Sequence, residues 1–550
     1  MCINVNGERS PYFKTFRGLR QGDPLSPLLF NLVADALGVL LDKASKKGHI
    51  KGVLEDLLPG GITHIQYADD TVIMIDGFAT SITNLKLILY CLEWLTRLKI
   101  NYHKSEVYGF GVSRVEKEEM ANMLNCVLGD LPLKYLGIPI SDHHLAMGAF
   151  SFLPQKMITR LDQWKGKFLT SGGKQILTNS CLSSLPLYCM GFYWLADGIH
   201  KRMDTIRANF LWQGAEDKFK YHMAKWEMVC RPKDQGGLGI INTRIMNDCL
   251  IVKWIWKIFQ EPDELWFKFL KAKYMGEGGF FESKTKGVSQ FWQGLHKVKH
   301  LFKWGVVFKV RNGDHCKFWE DCWAKEVPLG ISHENLFRMV RNPYCSVSEC
   351  WEEDEWVMDF KRSLSPQEYN SWIDLTYSLH GCNPESDAAD IVSWALEPKG
   401  HFSTKSLYRF LTDWGMPSRV AGLIWKCKIP LKIKFFLWQM FHNKLQVAGN
   451  LVKRGWKGNM SCCLCDCVET VNHLFFKCHL AKLVWGLLQN IFELDFVLGL
   501  LRTCLLYGCR ARGRYRIGWS CFSLQDLSGP CGPREIRWQL KNRLLRRQLM

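Results

Sequence analysis

Apolar residues recur at helical spacing in two early stretches of the chain. Leu29, Leu32, Val33, Ala36, Leu37, Leu40 and Leu41 follow Ser26-Pro27, a pairing that reads as an N-cap with proline at the first helical position. Leu85, Ile88, Leu89, Leu92 and Leu95 mark a second amphipathic helix. Between them, residues 45–61 are loop-like, and residues 62–67 and 71–75 are two short β-prone runs. Only Ala68, Asp69 and Asp70 separate those runs, which predicts a hairpin carrying carboxylates at its tip. Residues 1–16 read as an extended pair, Lys99-Ile100-Asn101 as a short strand ahead of Lys104, and Leu136-Gly137-Ile138-Pro139 as a turn beside a strand. From about 150 to 300 the pattern is mainly helical, and from about 300 to 420 it is mixed. The residues after about 500 carry many arginines and little clean periodicity. The predicted fold class is α+β.

Composition narrows the partners. At 550 residues the chain is too long for one core, and three to four domains of ~150 residues are expected. The formal charge of +19 points to a polyanionic partner. Most of the 23 tryptophans read as core anchors, with some free to stack on bases. The 22 cysteines follow a start that lacks the charged and apolar regions of a secretory signal, so they read as reduced thiols of an intracellular protein with one metal cluster. No uncharged apolar run approaches the ~18–20 residues that span a bilayer.

Tyr67-Ala68-Asp69-Asp70 is the first chemical signal. Two adjacent carboxylates on a tight turn suit Mg²⁺, which takes hard oxygen ligands, and nucleotidyl transfer needs two such ions ~3.5–4 Å apart. Alone, the tetrapeptide reads as a solvated Asp-Asp turn. Upstream lies Arg17-Gly18-Leu19-Arg20-Gln21-Gly22-Asp23-Pro24-Leu25-Ser26-Pro27, where backbone amides ahead of a helix favour anions. Here the chain resembles the reverse transcriptases of non-LTR (LINE-type) retrotransposons, most closely those of plants. The stretch resembles that family's motif B, Tyr67 to Asp70 its motif C, residues 98–105 around Lys104 its motif D, and Tyr135-Leu136-Gly137-Ile138-Pro139 its primer grip. The resemblance implies that Asp69 and Asp70 bind magnesium. It implies further that Lys104 lies near the incoming triphosphate, that Arg20, Gln21 and Gly22 line the template and nucleotide face, and that Tyr67 and Ala68 shape the floor at the primer end. Leu136 and Gly137 would touch the primer. RNA template and DNA primer are the implied partners. The family also has an earlier aspartate-bearing strand, and residues 1–16 offer only Glu8. Little polymerase activity is therefore expected from this chain alone.

A second signal is Cys462-Cys463-Leu464-Cys465-Asp466-Cys467 followed by His473 and Cys478. A C-x₂-C pair with a later H-x₄-C closes a tetrahedron around structural zinc; Cys463 and Cys467 are extra thiols able to substitute. The cluster, with residues 402–408, 424–425, 432–438, 454–456 and Trp485, resembles the zinc-binding domain that ends plant reverse-transcriptase-like proteins. Lys432, Lys434, Lys444, Lys453, Arg454 and Lys457, interleaved with aromatics, suit phosphate contact and stacking. The expected division is a partial polymerase palm over 1–140, a helical thumb-like region over 141–300, a mixed linker over 301–400, a zinc-binding domain over 401–490 and a basic tail over 491–550. The alternative to a polymerase fragment is a non-catalytic zinc protein that binds nucleic acid. Nuclear or cytoplasmic action fits either.

Overall fold

The computed structural model describes residues 2–14, 22–57, 60–162, 169–212, 221–276, 279–325, 327–384, 388–413, 415, 417–492, 494–495 and 510–511. The expected template-facing residues Arg20 and Gln21, and nearly all of the arginine-rich tail, lie outside them. The architecture is α+β: helices dominate, and the strands pair two by two among the described residues. The chain divides into two units, one of residues 1–143 with 263–283, the other of residues 144–262 with 284–550.

In the first unit β1 (Asn4–Val5) and β2 (Glu8–Arg9) form the expected extended pair. Helix α1 spans Ser26–Lys46 with proline in its first turn, but its cap position is Leu25 rather than Ser26. Asp23 serves the helix start instead, its carboxylate accepting the Leu25 amide at 2.9 Å. The hairpin is β3 (His64–Tyr67) against β4 (Asp70–Ile73), followed by α2 (Ala79–Thr96). Leu37, Leu41 and Ala44 of α1 meet Leu85, Leu89 and Leu92 of α2 in one core, with Ile73 and Ile75 packed against it. Each fully buried leucine contributes about 1.5–3 kcal/mol. The hairpin is thereby clamped onto α1.

Beyond α2 the expected strand at 99–101 is absent. Asn101 instead closes a turn, its side chain accepting the Lys104 amide at 3.2 Å. An asparagine that satisfies backbone locally competes with a strand ladder. β5 (Glu106–Val107) then pairs in parallel with β6 (Val127–Leu128) around α3 (Arg114–Leu124). The last hairpin is β7 (Leu133–Tyr135) with β8 (Ile138–Ile140).

The second unit is built around the helix Thr243–Gln260, which packs on the helices Gln290–Lys303 and Thr404–Leu411. A core of Leu211, Ala224, Val229, Cys230, Leu238 and Ile240 is completed by Phe435 and Trp438 of the helix Leu431–Phe441. The indole Nε1 of Trp438 donates to the Gly236 carbonyl at 2.8 Å. Gly172 lets another helix approach this one: a Cβ there would meet the Lys432 backbone nitrogen at 2.9 Å. Trp292, Trp319, Trp394 and Trp438 are fully buried, whereas Trp94 and Trp456 stay exposed. No helix among the described residues is long and apolar enough to cross a membrane.

Candidate functional site

Tyr67 pairs with Asp70, so the acidic bend is a two-residue turn of Ala68 and Asp69, and Asp70 opens the returning strand rather than sitting in the turn. Ala68 takes the left-handed conformation at φ 52°, as tight hairpins of the right twist require. Tyr67, Ala68, Asp69 and Asp70 are all exposed. Among the described residues neither carboxylate enters a hydrogen bond or ion pair. Alternation explains why the acids point to water while the strands are held: Gln66 faces α1 and donates from Nε2 to the Ala34 carbonyl at 3.3 Å. His64 also lies on α1, its Nε2 3.1 Å from the position of a Cβ on Gly38. The bend thus rides on the helix that begins at Ser26.

Gly22 precedes that helix at φ 86° with open space around its Cα; a side chain would be strained there. Leu136 and Gly137 form the two-residue turn of the β7–β8 hairpin at φ 48° and 82°. Lys104 is exposed in the turn begun by Asn101. Hard, solvent-facing carboxylate oxygens at Asp69 and Asp70 fit Mg²⁺ chemistry. Among the described residues, no third Asp, Glu, His or Cys joins them at metal-binding distance.

The Cys/His cluster is more complete. Cys462, Cys465, His473 and Cys478 each offer a ligand atom, and the four atoms lie within 4.8 Å of one another. A zinc tetrahedron with ~2.3 Å bonds to sulfur needs thiolates ~3.8 Å apart, so the donors fit with a small contraction. The first two cysteines sit on a knuckle. The Cys462 carbonyl accepts the amide of Asp466 at 3.1 Å, and the Cys462 amide donates to Cys467 at 2.8 Å. Asp466 takes φ 54° to close it. His473 follows Thr470, whose hydroxyl accepts the His473 amide at 3.1 Å. Cys478 precedes the helix His479–Phe492, and a hydrogen bond from the Leu480 amide holds its thiol below the usual value, as helix N-termini do. Cys462, His473 and Cys478 are buried. Cys463 and Cys467, the extra thiols, are exposed and lie outside this group of four.

The sequence reading overlooked Glu469. Its carboxylate accepts the Ala448 amide at 2.8 Å and its carbonyl the Gly449 amide at 3.0 Å, tying the knuckle to the short helix Ala448–Val452. An acid beside the last knuckle thiol was the available signal. The basic residues divide. Lys432, Lys453 and Lys457 are exposed, whereas Lys434 donates to the Trp425 carbonyl at 2.9 Å and Arg454 to the Met223 carbonyl at 2.7 Å. The last two hold the fold together.

Known proteins bear on both regions. Residues 1–140 match the family described as reverse transcriptase (RNA-dependent DNA polymerase), and residues 402–485 match zinc-binding in reverse transcriptase. A protein of Arabidopsis thaliana named "Putative ribonuclease H protein" is 27% identical over 63% of this chain and 57% of its own length. An uncharacterized mitochondrial protein of the same plant is 28% identical over 26% of this chain and 97% of its own. The transposon TX1 uncharacterized 149 kDa protein of Xenopus laevis is 23% identical over half of this chain and 20% of itself. The chain therefore spans little more than half of the first relative and a fifth of the third.

Proposed function

Since the chain is a protein of non-LTR reverse-transcriptase type, we propose that it is a portion of an RNA-directed DNA polymerase of a retroelement, reading an RNA template from a DNA primer. The observation that carries this reading is the exposed Asp69-Asp70 bend seated on α1. In this reading Asp69 and Asp70 hold Mg²⁺, which when bound activates the primer hydroxyl and steadies the leaving pyrophosphate. Lys104 supplies a proton near the triphosphate. Arg20, Gln21 and Gly22 line the template side, Tyr67 and Ala68 support the primer end, and Leu136 and Gly137 grip the primer. Residues 141–300 act as a thumb-like region, residues 301–400 as a linker, and residues 401–490 as a zinc-stapled module that holds nucleic acid.

Two carboxylates without a third close ligand among the described residues argue for weak catalysis by residues 1–550 alone, because ligands of one metal site act as a unit. Primer extension with the purified chain, Mg²⁺ and an RNA template separates the possibilities. Binding without incorporation is expected. Incorporation that disappears in Asp69→Ala overturns the proposed inactivity and leaves the polymerase assignment standing. The second reading, a non-catalytic zinc protein that binds nucleic acid, is favoured by the completeness of the Cys/His set beside the two lone acids. Failure to bind RNA, DNA or their hybrid rejects both.

A further inference from the structure

Cys345 and Cys350 lie apart from every group discussed so far. Both are buried, and the Cys350 thiol donates to the Cys345 sulfur at 3.3 Å. A disulfide needs its sulfurs at about 2.05 Å, so a closing movement of just over ~1 Å suffices. The intervening turn is already built. Ser346 and Glu349 exchange reciprocal bonds, amide to carboxylate at 2.7 Å and amide to hydroxyl at 3.2 Å. The Cys350 amide donates to Val347 at 3.2 Å. Both flanks are pinned to a neighbouring segment, Phe318 donating to the Cys345 carbonyl at 3.0 Å and Val347 to the Cys316 carbonyl at 2.9 Å. Little chain entropy therefore remains to be lost on closure.

The geometry points to Cys345–Cys350 as a reversible redox modification site, oxidised to an intrachain disulfide by hydrogen peroxide and reopened by small thiols. The first step forms Cys345–SOH as the peroxide O–O bond breaks and one water leaves. Cys350 sulfur then attacks that sulfur, the S–O bond breaks, and a second water leaves with the Cys350 proton; two thiols lose two electrons and peroxide gains them. The roles follow from the hydrogen bond. As acceptor, Cys345 is the thiol held below its ordinary value, by the bond from Cys350 first, while Cys350 is pushed up. Burial pushes neighbouring Cys316 well up, which removes it as a competing nucleophile.

The test uses the full chain, brief peroxide treatment, alkylation under denaturing conditions and mass spectrometry of the tryptic peptide covering 342–361, which carries both residues. The expected result is loss of two hydrogens from that peptide, restored by dithiothreitol, at a rate about tenfold or more above the oxidation of buried Cys189 and Cys249. In Cys350→Ser a sulfenic-acid probe labels Cys345; in Cys345→Ser position 350 stays unlabelled. A wild-type peptide whose two thiols stay fully alkylatable while Cys189 or Cys249 oxidises overturns the proposal, as does pairing of either cysteine with a third. The wild-type measurement stands whether or not the variants fold.

Discussion

His200 sits in the second unit with its ring almost wholly buried and its Nδ1 3.0 Å from the Thr243 hydroxyl. Burial first, and then the charge of Arg244, lowers its pKa to about 4. The unfolded chain therefore binds a proton between roughly pH 6.5 and pH 4 that the folded chain refuses, and stability falls as pH drops through that window. The loss is at most about 3–4 kcal/mol. Urea melts at pH 7.5 and 4.5 should show His200→Gln losing less on acidification than the wild type. The metal residues give a sharper contrast. Cys465→Ser should take bound zinc well below half an equivalent by atomic absorption, while Cys463→Ser and Cys467→Ser should leave it unchanged, because their thiols face solvent. The spacing of cysteines exposed the knuckle in the sequence. It also picked out Cys462, Cys465, His473 and Cys478, the four residues whose ligand atoms the structure gathers; the turn that gathers the first two, closed by the Asp466 amide on the Cys462 carbonyl, was not legible.

Elements were legible where one face is buried. Leu37, Leu40 and Leu41 of α1, Leu85, Leu89 and Leu92 of α2 and Ile73 of the acidic hairpin answer to a single core, so periodicity found these elements, although Leu29, Leu32 and Leu95, counted in the same pattern, are exposed. Short polar segments escaped it. Asn101 replaced an expected strand with a turn, and the capping box of α3, Ser113 with Glu116 at 2.7 Å, passed unremarked although its residues stand at the right spacing. The β7–β8 hairpin turns on Leu136 at φ 48°, where a branched side chain is strained and Asn or Gly is not. Leu136→Asn should raise stability by about 1 kcal/mol in denaturant melts. A drop in midpoint would mean that the leucine contributes packing exceeding its strain. At Gly172 the opposite holds: Gly172→Ala must push back the Lys432 backbone and should cost about 1–3 kcal/mol.

On the scale of the whole molecule, charge was readable at once and connectivity was not. With +19 net charge, affinity for an RNA–DNA hybrid should fall about tenfold or more between about 50 and 200 mM salt; a flat response would remove phosphate contacts from the account. The sequence suggested a zinc-binding domain over residues 401–490 and named no packing partner for it. In the structure the helix Leu431–Phe441 completes the core of residues 211–240, and Ser418 donates to the Asp234 carbonyl at 2.7 Å. No local pattern announces a partnership across such a separation. Stripping metal with a chelator should therefore open residues 221–240 to protease along with the knuckle, while residues 60–140 keep their resistance.

The bond from Trp438 to Gly236 crosses 202 residues. During synthesis at roughly 5–20 residues per second, Leu238 and Ile240 must wait some tens of seconds outside the ribosome before Phe435 and Trp438 emerge to cover them. A premature stop codon anywhere in that interval leaves them uncovered for good. Messages interrupted there should yield products that chaperones retain and proteases clear, even though every helix encoded upstream is intact.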